Sequence, residues 1–211
     1  MIRPMSRIDV SSLFSLKGKV ALITGGSRGI GRMIAEGYVQ AGAKVYISSR
    51  KKEACDETAK ELSKQGACVS LPADVATSEG RRLLVEEISR REGRLHVLVN
   101  NAGYNDGKDL GTSPKDFMAS VHLNLSHVYA LAHLCREELS KNQGAIINVS
   151  SKVAVTGQGS TSGYAAAKGA MNALTREWAI ALAPNNVRVN CVVPAECITP
   201  QYQKWFDSLN E

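Results

Sequence analysis

Two rhythms of apolar residues alternate along this chain. Short runs are almost continuously apolar, as in Val20-Ala21-Leu22-Ile23 and Ala145-Ile146-Ile147-Asn148-Val149. A strand reads this way when both faces of its sheet are covered. Between these runs lie longer segments whose apolar residues recur every three or four positions, the period of a helix with one buried face. The pattern predicts strands over residues 20–24, 44–49, 68–72, 97–100, 145–150 and 187–193. It predicts helices over residues 28–41, 51–64, 78–91, 114–141 and 162–183. Strand, helix and strand at such spacing imply right-handed crossovers. The expected fold class is α/β, a doubly wound parallel sheet of about six strands with helices on both faces. No repeat, low-complexity tract or linker divides the chain. Residues 16–211 are therefore expected to form one domain behind a polar, flexible tail of residues 1–15.

Composition narrows the partners. The chain has 211 residues, enough for one α/β domain with a full core. Its net charge of +6 is scattered, as in Lys51-Lys52, Arg81-Arg82 and Arg90-Arg91, with no interleaved aromatics. That reads as a solvated surface, and no nucleic acid is expected as a partner. No apolar run approaches the roughly 20 residues that span a bilayer, and the tail lacks a signal-peptide core, so no membrane is expected. The five cysteines are odd in number and lack metal-type pair spacing, which suggests reduced thiols and a cytoplasmic protein. His96, His122, His127 and His133 form no ligand cluster and read as surface or packing residues. No metal is expected.

The stretch Thr24-Gly25-Gly26-Ser27-Arg28-Gly29-Ile30-Gly31 lies where the first strand should turn into a helix. Glycines there let a backbone approach a pyrophosphate, and the helix N-terminus offers free N–H groups and a positive dipole end. A plain strand–helix turn without a ligand is the alternative. A fold of this kind that prefers NAD usually carries an acidic residue about 20 positions later, to bind the ribose 2′-hydroxyl. Here that region reads Ser48-Ser49-Arg50, with no carboxylate. A carboxylate would repel a 2′-phosphate, whereas Arg50 and Arg28 would attract it. NADP(H) is therefore favoured over NAD(H), unless both arginines are plain surface residues.

Asp74, followed by Val75 after the third strand, could bond an adenine amino group or cap the next helix. Asn100-Asn101-Ala102-Gly103 ends the fourth strand; its small residues leave room for a ligand, and its asparagines could equally pin a turn. Tyr164 and Lys168, spaced i and i+4, share a helix face. A phenol is a poor base near neutrality, its ordinary pKa being about 10. A nearby ammonium favours the phenolate and would lower that value, so Tyr164 could exchange a proton with an alcohol or carbonyl oxygen.

With Asn124, Ser150-Ser151 and the segment Pro194 to Thr199, these pieces resemble the short-chain dehydrogenase/reductase family in order and spacing across residues 17–205. The resemblance implies a Rossmann fold. It implies that Ser151 bonds the substrate oxygen, Tyr164 is the acid/base, and Lys168 lowers the tyrosine pKa and binds the nicotinamide ribose. It implies that Asn124 supports a water linking Lys168 to solvent. It further implies a cofactor lined by Gly25, Ser27, Arg28, Gly29, Ile30, Gly31, Ser49, Arg50, Asp74, Val75, Asn101, Ala102, Gly103, Pro194 and Thr199, with Thr199 near the carboxamide. The first half is similar to NADPH-dependent 3-ketoacyl reductases of the rhamnolipid type. The second half is similar to bacterial sugar dehydrogenases acting on L-fucose.

The implied activity is hydride transfer between a secondary alcohol, or a sugar hemiacetal, and its carbonyl. Two departures from the family stand out. Ala195 replaces a usual glycine, and the family's last helix and seventh strand are absent from the sequence. The second departure raises a competing expectation, a nucleotide-binding remnant with little catalysis. It also suggests a homodimer through the 114–141 and 162–183 helices in place of a tetramer, with weak thermal stability.

Overall fold

The computed structural model describes residues 9–208. Residues 1–8 of the expected tail lie outside them; from Val10 the chain forms a helical turn, α1 (Val10–Leu13). The strands are β1 (Val20–Thr24), β2 (Lys44–Ser48), β3 (Cys68–Ser70), β4 (Val97–Asn100), β5 (Ala145–Val149) and β6 (Arg188–Val192). All are parallel, in the order β3-β2-β1-β4-β5-β6. The order reverses between β1 and β4, so the loops after these strands diverge and leave a crevice at the carboxyl edge.

Strands β1 to β5 divide their side chains between two cores. Ala21 and Ile23 face α2 (Gly29–Gln40) and α3 (Lys52–Leu62), through Ala35, Val39, Cys55, Ala59 and Leu62. Val20 and Leu22 face the opposite core, with Leu84 and Ile88 of α4 (Ser78–Glu92) and Leu131 and Leu139 of α6 (His127–Lys141). This alternation is why the runs are apolar at every position. From β1 to β5 the sheet is thus covered on both faces, as the pattern predicts; in the edge strand β6 only Val189 is buried, and Arg188, Asn190 and Val192 are exposed.

Local chemistry sets the helix ends. Thr77 caps α4 by accepting from the Gly80 N–H at 3.0 Å, and Gly93 ends it in the left-handed conformation. Ser113 and Pro114 open α5 (Pro114–Val121). The single helix expected over 114–141 is instead two, α5 and α6, joined by a π-helical turn, His122–Ser126. After β5 come a 3-10 turn (Lys152–Ala154) and α7 (Ser162–Ala181). After β6 comes α8 (Pro200–Asp207), which the periodicity does not predict. No helix among the described residues is long and apolar enough to cross a membrane.

Candidate active site

The glycine loop is held from below by β4. Thr24 Oγ1 accepts the N–H groups of Asn101 and Ala102 at 3.1 and 3.0 Å. Asn101 Nδ2 donates to the carbonyls of Thr24 and Gly25 at 2.8 and 3.2 Å. Thr58 Oγ1 donates to the Ser27 carbonyl at 2.9 Å. The glycines are needed for contact as well as for φ. A Cβ on Gly31 would lie 2.2 Å from the Gly25 oxygen, and Gly25 itself has φ +66°. Arg28, the N-cap of α2, makes no side-chain cap bond, so the first-turn N–H groups carry no competing side chain. Ile30 is half-buried behind them.

Pairing of Thr24 with Ser48 sets Ser49 and Arg50 beside the loop. Arg28 and Arg50 are exposed, and neither has an ion-pair partner among the described residues. Ser49 Oγ donates to the Lys51 carbonyl at 3.1 Å. Asp74 is not the cap of α4; Thr77 is, because Asp74 lies one turn too early. Asp74 Oδ1 instead accepts the Ala76 N–H at 2.9 Å, closing a tight turn in which Asp74 and Val75 are half-buried.

Two further candidates meet at Gly103. A Cβ there would lie 3.3 Å from both Asn124 Oδ1 and Lys168 Nζ. Asn124 is fully buried at the centre of the π-helical turn. Its Oδ1 accepts the Tyr104 N–H at 2.8 Å, and its Nδ2 donates to the Ser120 carbonyl at 3.0 Å. These two bonds tie the loop after β4 to the widened turn, a feature that often marks functional sites.

Lys168 is also buried. Its Nζ donates to the Val149 carbonyl at 2.7 Å and lies 5.6 Å from the centre of the Tyr164 ring. Burial lowers its pKa to about 8. Ser150 Oγ donates to the Lys168 carbonyl at 3.0 Å, locking α7 to the end of β5. Ser151 opens the 3-10 turn and is hydrogen-bonded to Tyr164.

The expected lowering of the Tyr164 pKa is not what the structure gives. Burial raises the phenol, and the Ser151 hydrogen bond only partly offsets this. The ammonium of Lys168 spends its short bond on Val149, and burial weakens its own charge.

The loop after β6 closes the far side. Pro194 accepts the Lys152 N–H at 2.9 Å, and Lys152 pairs with Glu196. Thr199 Oγ1 accepts the Tyr202 N–H at 3.2 Å as α8 begins. A Cβ on Gly29 would lie 3.5 Å from the Thr199 methyl, so this loop reaches the glycine turn. Ala195 is not among the residues with positive φ, so its methyl brings no backbone strain. The Lys152–Glu196 pair and the role of Thr24 escape sequence reasoning, since the pair spans 44 positions and bears no local signal.

Comparison with known proteins gives the family. The family model for short chain dehydrogenases matches residues 19–210. A rhamnolipids biosynthesis 3-oxoacyl-[acyl-carrier-protein] reductase of Pseudomonas aeruginosa is 38% identical over 188 residues, covering 86% of this chain and 73% of that protein. An L-fucose dehydrogenase of Bos taurus, a mammalian rather than a bacterial protein, is 39% identical over 189 residues, covering 89% and 69%. Among solved structures, an RhlG/NADP active-site complex from Pseudomonas aeruginosa has a TM-score of 0.86 at 34% identity, covering 92% and 78% of the two chains. L-Sorbose reductase from Gluconobacter frateurii, complexed with NADPH and L-sorbose, has a TM-score of 0.89 at 30% identity, covering 93% and 76%. The chain belongs to the short-chain dehydrogenase family, oxidoreductases acting on CH–OH groups.

Proposed function

We propose that this chain uses NADP(H) to interconvert a secondary alcohol, or a sugar hemiacetal, and its carbonyl. The observation that carries the reading is one linked set at the crevice where the strand order reverses: Asn124 and Lys168 flank Gly103, Lys168 lies against the Tyr164 ring, and Ser151 acts on the phenol. The cofactor fits the residues present. Gly25 and Gly31 leave no room for side chains, the α2 N-terminus is uncapped, and Arg28 and Arg50 supply positive charge for a 2′-phosphate. Relatives described with NADP or NADPH support the same choice.

When bound, the nicotinamide supplies or accepts the hydride. In reduction, the Ser151 hydroxyl orients the carbonyl oxygen and Tyr164 gives it a proton. The raised phenol pKa suits this, because the proton is present near neutrality. Lys168, linked to solvent through a water that Asn124 supports, passes the replacement proton toward Tyr164. In oxidation the proton runs the other way. The binding-only reading leaves this buried, bonded set without a role.

A homodimer is part of the proposal, supported by exposed Met118, Tyr129 and Ile180 on α5, α6 and α7. A cytoplasmic setting is supported by five free thiols. The test of function uses two panels, NADPH consumption with β-ketoacyl thioesters, and sugars assayed in both directions, keto sugars with NADPH and aldoses with NADP+. Turnover of one panel fixes the substrate class; turnover of neither, with NADPH still bound, would favour the binding-only reading.

A further inference from the structure

Two buried side-chain polar atoms have no hydrogen-bond partner among the described residues, Asn100 Oδ1 and His127 Nδ1. Neither belongs to the catalytic set above. The orientation of Asn100 follows from a chain of bonds. Thr175 Oγ1 donates its one proton to the Met171 carbonyl at 2.8 Å, so it must accept from Asn148, whose Nδ2 lies 2.9 Å away. Asn148 then turns its Oδ1 to Asn100, whose Nδ2 donates at 3.0 Å. The chain therefore ends on a carbonyl oxygen, Asn100 Oδ1, that requires a donor.

The topology brings His127 to that end. Leu98 of β4 and Leu131 of α6 share one core cluster. Asn100 lies two residues beyond Leu98 on the same strand face, roughly 6–7 Å nearer the carboxyl edge. His127 lies four residues before Leu131 on the same helix face, about 6 Å along the axis. Helix α6 packs on β4 and β5 and, as a crossover between parallel strands, runs against them. Both steps thus lead to one layer, just beneath the active site.

The imidazole is 2% exposed. Lys168 of α7, Arg81 of α4, Asp74 of the turn before α4 and His122 of the π-helical turn act on its charge. Burial lowers its pKa to about 4, so near neutrality it carries one N–H and one acceptor nitrogen.

We propose that Asn100 Oδ1 and His127 Nδ1 hold one internal water between them, and that this bridge makes His127 a positioning residue for the active site. The water donates to Asn100 Oδ1 and exchanges a hydrogen bond with Nδ1; buried waters characteristically satisfy such paired groups. The bridge joins two pieces that carry the chemistry. Asn100 directly precedes Asn101, which pins the glycine loop, and His127 directly follows the turn that holds Asn124.

A high-resolution crystal structure of the full chain, with kinetics of His127→Leu, His127→Asn and His127→Gln, tests this. Asparagine places its amide near the position of Nδ1, glutamine near that of Nε2, and leucine only fills volume. The expected result is a water peak bonded to both atoms. His127→Leu should lower kcat for NADPH-dependent reduction about tenfold with KM for NADPH little changed. His127→Asn should recover most of that loss and His127→Gln should not. Absence of the water, a direct Asn100–His127 bond, an unchanged kcat in the leucine variant, or equal recovery by glutamine would overturn the proposal. The density does not depend on turnover, so its failure is distinct from failure of the oxidoreductase reading.

Discussion

Among single residues, Arg50 bears on the proposed cofactor preference and His127 on the response to acid. Arg50 stands exposed beside a glycine loop, in a stretch, Ser48-Ser49-Arg50, without a carboxylate. Arg50→Asp is expected to weaken NADPH binding at least about tenfold while NADH binding changes less, since only NADPH carries the 2′-phosphate. Fluorescence titration with both reduced cofactors checks this, and equal weakening of the two would show that Arg50 does not read that phosphate. His127 sets a pH effect through burial. Its folded pKa of about 4 lies below the ordinary 6.5, so the unfolded chain takes up the proton first. Its contribution to stability is full above pH 6.5 and is lost as the pH falls toward about 4. His127→Asn removes this group, and its melting temperature should fall less steeply between pH 7 and 4 than that of the unchanged protein. Parallel curves would mean that the imidazole titrates in the fold as it does in the unfolded chain.

Elements register what side chains from other elements impose on them. Helix α2 can approach the glycine loop only because residue 31 has no Cβ. Gly31→Ala should therefore push α2 outward, lower the melting temperature and abolish measurable NADPH binding. Retained affinity in calorimetry would show that the loop adapts without loss. Asn124→Ala should leave the Tyr104 N–H without its acceptor and loosen the π-helical turn, lowering kcat about tenfold or more. Steady-state kinetics check it, and unchanged kcat would remove Asn124 from the site.

The contrast between these elements explains what was legible in the sequence. The strands were, because burial on both faces leaves apolar runs that turns interrupt. The break in residues 114–141 was not, because Asn124 widens the helix by bonding Tyr104, which lies 20 positions away. Helix α8 carried an overlooked signal, a Thr199 cap followed by Pro200. Tyr164 and Lys168 were legible from spacing on one face. The direction of the Tyr164 shift was not, because burial in the assembled fold outweighs the Ser151 hydrogen bond.

At the scale of the whole molecule, two cores clamp one parallel sheet, and the loops at its carboxyl edge meet over Gly103 and Gly29. Tyr129 of α6 lies 6.3 Å from Trp178 of α7, and with exposed Ile180 these residues form the proposed dimer face. Ile180→Asp should shift the protein toward monomer in sedimentation equilibrium; an unchanged mass would place the interface elsewhere. The central claim is that this architecture delivers a proton from Tyr164 to a carbonyl oxygen while NADPH is held. The most direct measurement is the rate of loss of reduced-nicotinamide absorbance by the unchanged protein and by Tyr164→Phe, with NADPH binding titrated in both. The account predicts a roughly 10²–10⁴-fold loss of turnover with binding preserved, because phenylalanine keeps the ring and removes only the proton-bearing oxygen. Turnover by Tyr164→Phe at the rate of the unchanged protein would contradict it.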